Sequence, residues 1–353
     1  MMTVADEFRR QAHFCGELGS DFIRQILTRG AESIDAGGIV ATLVEGWPGN
    51  PAADAVSLRW AGALHAAAIT GRDPPALAAE YPSARADWSV DRIWPAVAAF
   101  LERDEAWVRA FMTSPPQTNE TGRSGALACG FMWLAERSPQ PFHLLELGAS
   151  AGLNLNWDRF AYDHPAWGRA HVTGPLIPTE IMGDPPNWRD LAIASRAGCD
   201  QNPLDVDNPD HRLRLRSYVW PDQPARLARL AAALELAQAM GLKVEKADAA
   251  QWLRARLARE LPEGTTVVFH SVFLQYPPRE VREQITVAMN EAGQRTAQAR
   301  RLAWLMFEPE ALVAGVAGST RYVLHAAVWE NGRRSDVTLA EVDPHGRHMT
   351  WLG

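Results

Sequence analysis

The stretch from Phe142 to Asn154 constrains the fold of this chain more than any other part of its sequence. It begins with an apolar run that predicts a buried strand, continues through a turn with glycines at positions 148 and 152, and ends at a predicted helix start. An α/β sheet forms a ligand crevice at the carboxyl ends of its strands in this way. The glycines let a ligand approach the backbone, and the helix start offers unpaired N–H groups. The stretch therefore predicts a ligand site; the alternative is a tight βα turn that binds nothing.

The segments after this stretch repeat the alternation of strand and helix. Helical periodicity separates further apolar strand patterns, which end near Asp200, Lys246, Leu274 and Phe307. This order predicts an α/β fold with a doubly wound, mainly parallel sheet. The C-terminal pattern differs, because Asn331-Gly332 joins two alternating segments, and Asn-Gly is the strongest short signal for a β-hairpin. We therefore expect the sheet to end in an antiparallel hairpin.

The first part of the chain has helical periodicity in place of the strand–helix alternation. Residues 1–140 show helical spacing of apolar side chains and no strand pattern, which predicts an all-helical N-terminal domain that acts as a cap or lid. Residues 141–353 are predicted to form the α/β domain. Within it, residues 158–192 are rich in proline, glycine and tryptophan and hold no clear periodic element. They are predicted to be an insertion between the first two parallel strands.

The composition limits the class of function. The 353 residues carry a formal net charge of −7, which argues against a nucleic-acid-binding surface as the main function. The three cysteines are far apart and lack CxxC spacing, so a reduced, cytoplasmic setting is favoured over a disulfide framework or a zinc site. No apolar run approaches the roughly 20 residues that span a membrane, and no signal-peptide core is present. We expect a soluble cytoplasmic protein without a metal centre.

Carboxylates follow several of the predicted strands. Glu146 lies at the end of the first strand, and Ser150 adds a hydroxyl to the turn. Asp200 ends the second strand, where a carboxylate can accept both hydroxyls of a ribose. Asp248 follows the third strand and could hold the exocyclic amine of a base, because an ionised carboxylate only accepts hydrogen bonds. The alternative role of Asp248 is to cap the next helix.

A polar, proline-started loop precedes the apolar helix that begins near Gly125. Side chains of this loop that could project at the entrance of the crevice are Gln117, Asn119, Glu120 and Arg123. The alternative is that Thr118 or Asn119 caps the helix while Glu120 and Arg123 are solvated.

Residues 142–353 resemble the class I, S-adenosylmethionine-dependent methyltransferase fold, in which parallel strands are closed by an antiparallel hairpin. Glu146-Leu-Gly-Ala-Ser-Ala-Gly152 is similar to the first motif of that fold, Asp200 to the acid that ends its second strand, and Asp248 to the acid after its third. Ser150 departs from the motif, since a glycine or a cysteine is common at that place. The distance from the turn to Asp200 also exceeds the usual spacing of about 20 residues.

Most of the chain also resembles a family of bacterial proteins catalogued as a domain of unknown function. The motifs of this chain that carry the resemblance are Gln117-Thr-Asn-Glu120 with Arg123, Glu146 to Asn154, Asn202-Pro-Leu-Asp205, Trp220-Pro-Asp222 with Arg226, and His270-Ser271. That family carries no established reaction.

The methyltransferase resemblance implies that S-adenosylmethionine donates a methyl group to a small-molecule acceptor. The residues implied in cofactor binding are Glu146, Gly148, Ser150, Gly152, Asn154, Asp200 and Asp248. The residues implied around the substrate are Gln117, Thr118, Asn119 and Arg123. The candidates for a base are His270 and Glu120, with Tyr276 as an orienting group. For His270 the alternative is a core histidine with a satisfied ring.

Three other functions stay open. A non-catalytic methyltransferase-fold binding protein is favoured by Gln275-Tyr-Pro-Pro278, which stands where an amino-methyltransferase of nucleic acids would have N/D-P-P-Y/F. A nicotinamide-dependent oxidoreductase would need G-x-G-x-x-G, which the turn lacks. An α/β-hydrolase would use Gly148-x-Ser150-x-Gly152 as a nucleophile elbow, but His270 lies in an apolar strand run rather than on a loop after the last strand.

Overall fold

A computed structural model of the protein describes residues 2–72, 76–164, 167–170 and 174–353, with the backbone alone for residues 168–170. The α-helices are α1 Val4–Glu17, α2 Asp21–Asp35, α3 Ile39–Val44, α4 Val56–Thr70, α5 Ala76–Glu80, α6 Val90–Arg103, α7 Glu105–Met112, α8 Ser124–Arg137, α9 Pro209–Ser217, α10 Pro224–Met240, α11 Ala249–Leu257, α12 Arg279–Gly293 and α13 Glu310–Val313. Short 3-10 helices lie at Thr121–Arg123 and Leu153–Arg159. The strands are β1 Phe142–Leu147, β2 Ala161–His164, β3 Gly168–Ala170, β4 Leu176–Ile177, β5 Glu180–Met182, β6 Ile193–Asp200, β7 Glu245–Lys246, β8 Gly264–Ser271, β9 Arg300–Pro309, β10 Tyr322–Glu330, β11 Arg333–Val342 and β12 His348–Trp351.

The chain divides into two compact units. The helical unit consists of Met1–Thr118 and Pro209–Ala231, and the sheet unit consists of Asn119–Asn208 and Ala232–Gly353. This division differs from the boundary at residue 140 that the sequence suggests. α8 belongs to the sheet unit because it packs on the sheet, and residues 209–231 return to the helical unit because they pack among its helices, with Tyr218 in its core.

The helical unit is built from helices around an aromatic-rich core. The side chains of Phe8, Phe22 and Trp60 are fully buried in it. α1 and α2 begin at side-chain caps, as the first N–H groups of a helix require. The described residues of this unit contain no strand, as the sequence predicts.

The carboxylate of Asp222, which is distant in sequence, accepts hydrogen bonds at the start of α2. Asp222 accepts hydrogen bonds from the Ser20 hydroxyl at 2.7 Å and from the Phe22 N–H at 3.0 Å. Ser20 Oγ accepts in turn from the Ile23 N–H at 3.2 Å. Asp222 of the Trp220-Pro-Asp222 motif therefore has a structural role within the helical unit.

The sheet unit is organised around one sheet with the strand order β5-β12-β11-β10-β9-β8-β1-β6-β7. β7, β6, β1, β8 and β9 run parallel, and β10, β11 and β12 continue the sheet in antiparallel pairing. Asn331 (φ 50°) and Gly332 (φ 76°) form the turn between β10 and β11, and a two-residue hairpin of this kind needs positive φ at both positions. The predicted parallel order and the predicted C-terminal hairpin are confirmed.

Helices cover both faces of this sheet. Neighbouring side chains of a strand point to opposite faces. On β9, Leu305 lies against Gly130 of α8, where a Cβ would be 2.6 Å from Leu305 Cδ1. Leu302 and Trp304 instead share a hydrophobic cluster with α11 and α12. α8 and the pair α11/α12 therefore lie on opposite sides of the sheet.

The predicted insertion at residues 158–192 has structure of its own. It forms a small sheet in the order β3-β2-β4, and β5 pairs in parallel with β12 at the edge of the main sheet. Across the described residues, we find no helix with the length and apolarity needed to cross a bilayer.

Replacement of Asp222 by alanine is expected to destabilise the helical unit by about 2–3 kcal/mol, because donors at the start of α2 lose their acceptor. Urea and thermal unfolding measure this loss. The matched control is Asp21→Ala, which removes an exposed carboxylate from the same helix start and should cost less than about 1 kcal/mol. Equal losses for the two variants would contradict the capping role of Asp222.

Candidate functional site

The glycine turn of residues 148–152 lies where the strand order of the sheet reverses. β1 is flanked by β6 on one side and by β8 on the other, and α/β sheets bind ligands at such a point, outside the carboxyl ends of the strands. Gly148 (φ 65°), Ser150 (φ 54°) and Gly152 (φ 72°) all have positive φ. The turn is therefore a left-handed connection that a glycine adopts freely and a serine adopts only under strain.

Backbone N–H groups of this turn are already used within the protein. The Ser150 N–H donates to Asp200 Oδ2 at 2.9 Å. Asn119 Oδ1 accepts from the N–H of Ala151 at 3.3 Å and of Leu153 at 3.0 Å. These are donors that the sequence suggested would face a ligand at the helix start. Because Asn119 and Asp200 occupy them, the turn is poorly suited to hold a phosphate or another anion.

Buried acceptor atoms of the same segment have no partner. Glu146 Oε2, Ser150 Oγ, Asn154 Oδ1 and Asn156 Oδ1 make no hydrogen bond among the described residues, and each side chain is at most 4% exposed. A buried polar atom without a hydrogen bond costs roughly 1–3 kcal/mol, so each such atom calls for an explanation, such as a bound ligand or water. Acceptors of this kind suit a ligand that carries N–H, O–H or positive charge.

Burial raises the pKa of Glu146 well above its usual range, and the charge of Asp200 raises it further. Among the described residues, no cation and no hydrogen-bond donor favours the ionised form of Glu146. Its carboxyl group is therefore held in the neutral form to higher pH than an exposed glutamate, and a cationic ligand would stabilise the ionised form.

Asp200 and Asp248, the other two acids predicted at strand ends, also make structural hydrogen bonds. Asp200 Oδ1 accepts from the Asn202 N–H at 2.8 Å, in addition to the bond of Oδ2 with the turn. Asp248 Oδ1 accepts from the Gln251 N–H at 3.0 Å and caps α11. The capping role of Asp248 is thus present, and each carboxylate keeps acceptor capacity for a second donor.

The polar loop before α8 is joined to the turn and to neighbouring loops. Glu120 is buried, its Oε1 accepts from the Gly122 N–H at 2.9 Å, and its carbonyl oxygen accepts from Asn154 Nδ2 at 3.3 Å. Arg123 donates to the carbonyl oxygens of Pro344 at 3.0 Å and Ser271 at 3.1 Å. Asn119 and Glu120 therefore contact the turn segment, and Arg123 contacts the end of β8, while their projection toward a substrate stays a prediction. Gln117 and Thr118 belong to the helical unit, so their contact with a substrate stays a prediction, as does the lid.

His270 is fixed inside the core. Trp304 Nε1 donates to His270 Nε2 at 2.9 Å, and because an indole nitrogen only donates, Nδ1 of His270 carries the ring proton and donates it to Glu308 Oε1 at 2.6 Å. Glu308 Oε1 also accepts from the N–H of Phe273 at 2.7 Å and of Leu274 at 3.2 Å. Both nitrogens of His270 are in use, which favours a core histidine over a catalytic base.

The loop that Glu308 holds lies against the glycine turn. Val272 has a φ of 53°, a conformation that β-branched residues rarely adopt and that costs about 1–3 kcal/mol. A Cβ on Gly148 would lie 2.4 Å from Cδ2 of the half-buried Phe273. Only a glycine fits beside this ring, so Phe273 covers the turn. Tyr276, further along the loop, is 75% exposed.

Three residues of the site were not predicted: Asn156, Phe273 and Glu308. Glu308 carries a sequence signal, because it directly follows the apolar strand run that ends at Phe307, just as Glu146 ends β1. Asn156 and Phe273 carry no such signal, since their roles come from burial and from a neighbouring loop. The described residues contain no group of three or more histidine, cysteine or acidic side chains placed to hold a metal ion.

A family model described as "Uncharacterized protein conserved in bacteria (DUF2332)" matches residues 5–351, so the chain belongs to this family. No curated protein and no solved structure matches the chain significantly. The predicted resemblance to a bacterial family of unknown function is confirmed, and its methyltransferase-like part stays a prediction.

Replacement of Glu146 by glutamine should change how stability depends on pH. In the wild type, unfolding releases the proton that burial retains, so the free energy of unfolding falls as pH rises from about 4.3 toward the raised pKa of the folded state. The variant lacks this fall, and its advantage over the wild type should grow by up to about 1.4 kcal/mol per pH unit in that window.

Urea unfolding between about pH 5 and about pH 8 measures this difference. The control is Glu235→Gln, which removes an exposed carboxylate of the same unit. Parallel pH profiles for Glu146→Gln and the wild type would contradict a raised pKa at Glu146.

Replacement of Glu308 by alanine should release the loop of residues 271–274. The amides of Phe273 and Leu274 lose their acceptor and His270 loses its carboxylate partner, so we expect a loss of about 3–5 kcal/mol and faster hydrogen exchange at both amides. The exposed Glu280→Ala is the matched control on α12. Unchanged exchange at residues 273 and 274 would show that Glu308 does not hold the loop.

Proposed function

We propose that this member of the DUF2332 family binds S-adenosylmethionine at the glycine turn of its sheet unit and transfers the methyl group to a small molecule. The observation that carries the proposal is a set of buried acceptors without partners, from Glu146 to Asn156, beside a turn whose N–H groups are already occupied. The set lies where the strand order reverses, which is the usual ligand site of such sheets.

The chemistry of the site discriminates between nucleotide-like ligands. A dinucleotide such as NAD needs N–H donors for its pyrophosphate, and Asn119 and Asp200 take those donors. S-adenosylmethionine has no phosphate. It carries an ammonium group, ribose hydroxyls, an exocyclic amine and a positively charged sulfur, all of which suit acceptors and carboxylates.

Each predicted cofactor residue has a role in this proposal. Glu146 and Asn154 would accept from the ammonium group, and Ser150 would bond to the same end of the cofactor. Asp200 would accept from the ribose, and Asp248 from the exocyclic amine, with the acceptor capacity that their structural bonds leave. Gly148 leaves room for the Phe273 ring, and Gly148 and Gly152 both supply the positive φ that shapes the turn beside the cofactor. The bound cofactor supplies an electrophilic methyl group, and the protein supplies positioning.

The structure changes the candidates for a base. His270 serves in the proposal as a positioning residue, since its two nitrogens bond to Glu308 and Trp304. Glu120 is the remaining carboxylate of the polar loop, and Tyr276 is the exposed group on the loop after β8. A base is needed only if the acceptor must lose a proton.

One feature favours a second function, an α/β-hydrolase. Ser150 has the left-handed backbone of a nucleophile elbow and lies between a strand and a helix. Its Oγ, however, has no hydrogen-bond partner among the described residues, and the ring of His270 is engaged elsewhere. A serine nucleophile needs a base within hydrogen-bond reach, so the methyltransferase is the better-supported proposal.

Calorimetric titration of the full chain with S-adenosylmethionine and S-adenosylhomocysteine tests the proposal. We expect binding of both, with affinity that rises with pH and with proton release, because the ligand ammonium favours ionised Glu146. Glu146→Gln should abolish the proton release, and Asp200→Asn should weaken binding at least about tenfold. Glu235→Gln is the control for both.

Absence of binding for both ligands, with protein that unfolds cooperatively, would overturn the proposal. Binding without transfer of labelled methyl to any small molecule of a bacterial extract would instead support a non-catalytic binding protein. Labelling of Ser150 by a fluorophosphonate would favour the hydrolase.

A further inference from the structure

The guanidinium of Arg123 lies at the same end of the sheet as the glycine turn. Its Nε donates to the carbonyl oxygen of Pro344, and its Nη1 donates to that of Ser271, the last residue of β8. β8 pairs in parallel with β1, so the carboxyl ends of both strands meet at this edge of the sheet. The loop after β8 brings Phe273 over Gly148. Arg123 is therefore next to the loop that covers the proposed cofactor site.

Part of this guanidinium is free to bind a ligand. Arginine has five N–H donors, and the two carbonyl oxygens engage only Nε and one N–H of Nη1. Across the described residues, Nη2 makes no hydrogen bond and no carboxylate lies within ion-pair distance of Arg123. The residue is half-buried, and Nη2 is not one of the fully buried nitrogens that lack a partner. A ligand can therefore reach Nη2.

The surroundings of Arg123 favour an anionic partner. Burial lowers the pKa of Arg123, because its charged form loses hydration, and the nearby Glu120, Tyr276, Glu308 and Tyr322 act in the opposite direction. A partly dehydrated cation that has no ion pair is costly to the fold. An anionic group of a ligand would supply the missing partner through the remaining N–H groups.

Two tyrosine hydroxyls lie near the same guanidinium. Tyr276 is on the loop after β8 and is 75% exposed, and Tyr322 begins β10 opposite Pro309, at the edge of the sheet where β9 ends. Within the described part of the chain, neither hydroxyl makes a hydrogen bond. Burial raises the pKa of Tyr322 and the charge of Arg123 opposes this rise, so the hydroxyl is a hydrogen-bond donor at neutral pH. Arg123 and the two tyrosines therefore offer several donors to one acceptor group.

The nearby carboxylates limit the charge of the group that can bind. Glu120 and Glu308 are close enough to influence the pKa of Arg123, although neither forms an ion pair with it in the described residues. They would repel a second negative charge on a ligand. A carboxylate carries one charge spread over two oxygens, which matches the planar fork of a guanidinium. The site therefore favours a carboxylate over a doubly charged phosphate.

We propose that Arg123, Tyr276 and Tyr322 bind the carboxylate of the methyl acceptor, so that the substrate of this protein is a small carboxylic acid. The carboxylate accepts hydrogen bonds from Nη2 of Arg123 and from the two tyrosine hydroxyls. The inference rests on the proposed function only in identifying the ligand as the methyl acceptor. The carboxylate site itself can be tested without S-adenosylmethionine.

Benzoate and benzamide are the probes, because they have the same shape and only benzoate is an anion. Titration of full-length protein labelled with ¹⁵N at arginine follows the Nε–H resonances, and the Arg123 signal is the one missing from the Arg123→Lys spectrum. We expect benzoate to shift this signal and to bind at least about tenfold more tightly than benzamide. Phenyl phosphate, a dianion at mildly alkaline pH, should bind more weakly than benzoate.

Three variants test the donors one at a time. Arg123→Lys keeps the charge but loses the fork, so it should weaken benzoate at least about fivefold. Tyr276→Phe and Tyr322→Phe should each weaken benzoate at least about threefold. The matched control is Arg295→Lys, which changes another guanidinium of the sheet unit that donates to two carbonyl oxygens and has no carboxylate partner among the described residues. It should leave the affinity for benzoate unchanged.

Equal affinity for benzoate and benzamide, or benzoate binding that is unaffected in Arg123→Lys, would overturn the inference. Tighter binding of phenyl phosphate would overturn the assignment to a carboxylate. If Arg123→Lys does not fold, Tyr276→Phe at its exposed position and the wild-type comparison of probes still decide it. Benzoate binding without S-adenosylmethionine binding would support this site and overturn the proposed function, and the reverse result would overturn this site alone.

Discussion

The hydrogen bonds that Asn119 and Asp200 accept from the glycine turn fix the character of the site. Buried backbone N–H groups must be paired, and here side chains pair them instead of a ligand. In the proposed site, a ligand would therefore meet side-chain oxygens of Glu146, Ser150 and the asparagines that follow. The glycines resemble those of a phosphate site, but the side chains around the turn favour a ligand that donates hydrogen bonds.

Glu146 and Glu308 show how environment separates two similar residues. Both are buried carboxylates at the ends of parallel strands, but they point to opposite faces of the sheet. Glu146 on β1 lies opposite Phe269 on β8, which lies opposite Leu305 on β9, so these three side chains point to one face. Glu308 is an odd number of residues from Leu305 on the same strand and therefore points to the other face. Oε2 of each carboxylate lacks a partner among the described residues, but three donors reach Glu308 Oε1, whereas none reaches Glu146, whose pKa is raised. Glu308 holds a strained loop in place, and Glu146 is the carboxylate that the proposal assigns to a ligand.

Two charged residues of the motifs that carry the family resemblance have structural contacts. Asp222 caps a helix, and Arg123 ties carbonyl oxygens of two loops to the start of α8. Both side chains make structural hydrogen bonds, although a charged side chain in such a motif suggests catalysis. The proposed cofactor contacts involve instead oxygens of the turn segment that lack partners. Buried groups that are unsatisfied within their own fold are where a ligand gains most.

The sequence by itself determined the types and the order of the elements. Apolar runs, helical spacing, the glycine turn and Asn331-Gly332 are local signals, so the parallel strands, the helical first part and the C-terminal hairpin could be predicted from them. The carboxylates at the ends of β1 and β6 could be predicted for the same reason. The tertiary structure alone decided which of these groups are free to act. Asn119 reaches the turn from more than 30 residues away, Glu308 reaches His270 across 38, and Asp222 reaches Ser20 across 202. Hydrogen-bond partners so distant in the chain leave no local pattern, because burial and satisfaction are properties of the packed fold.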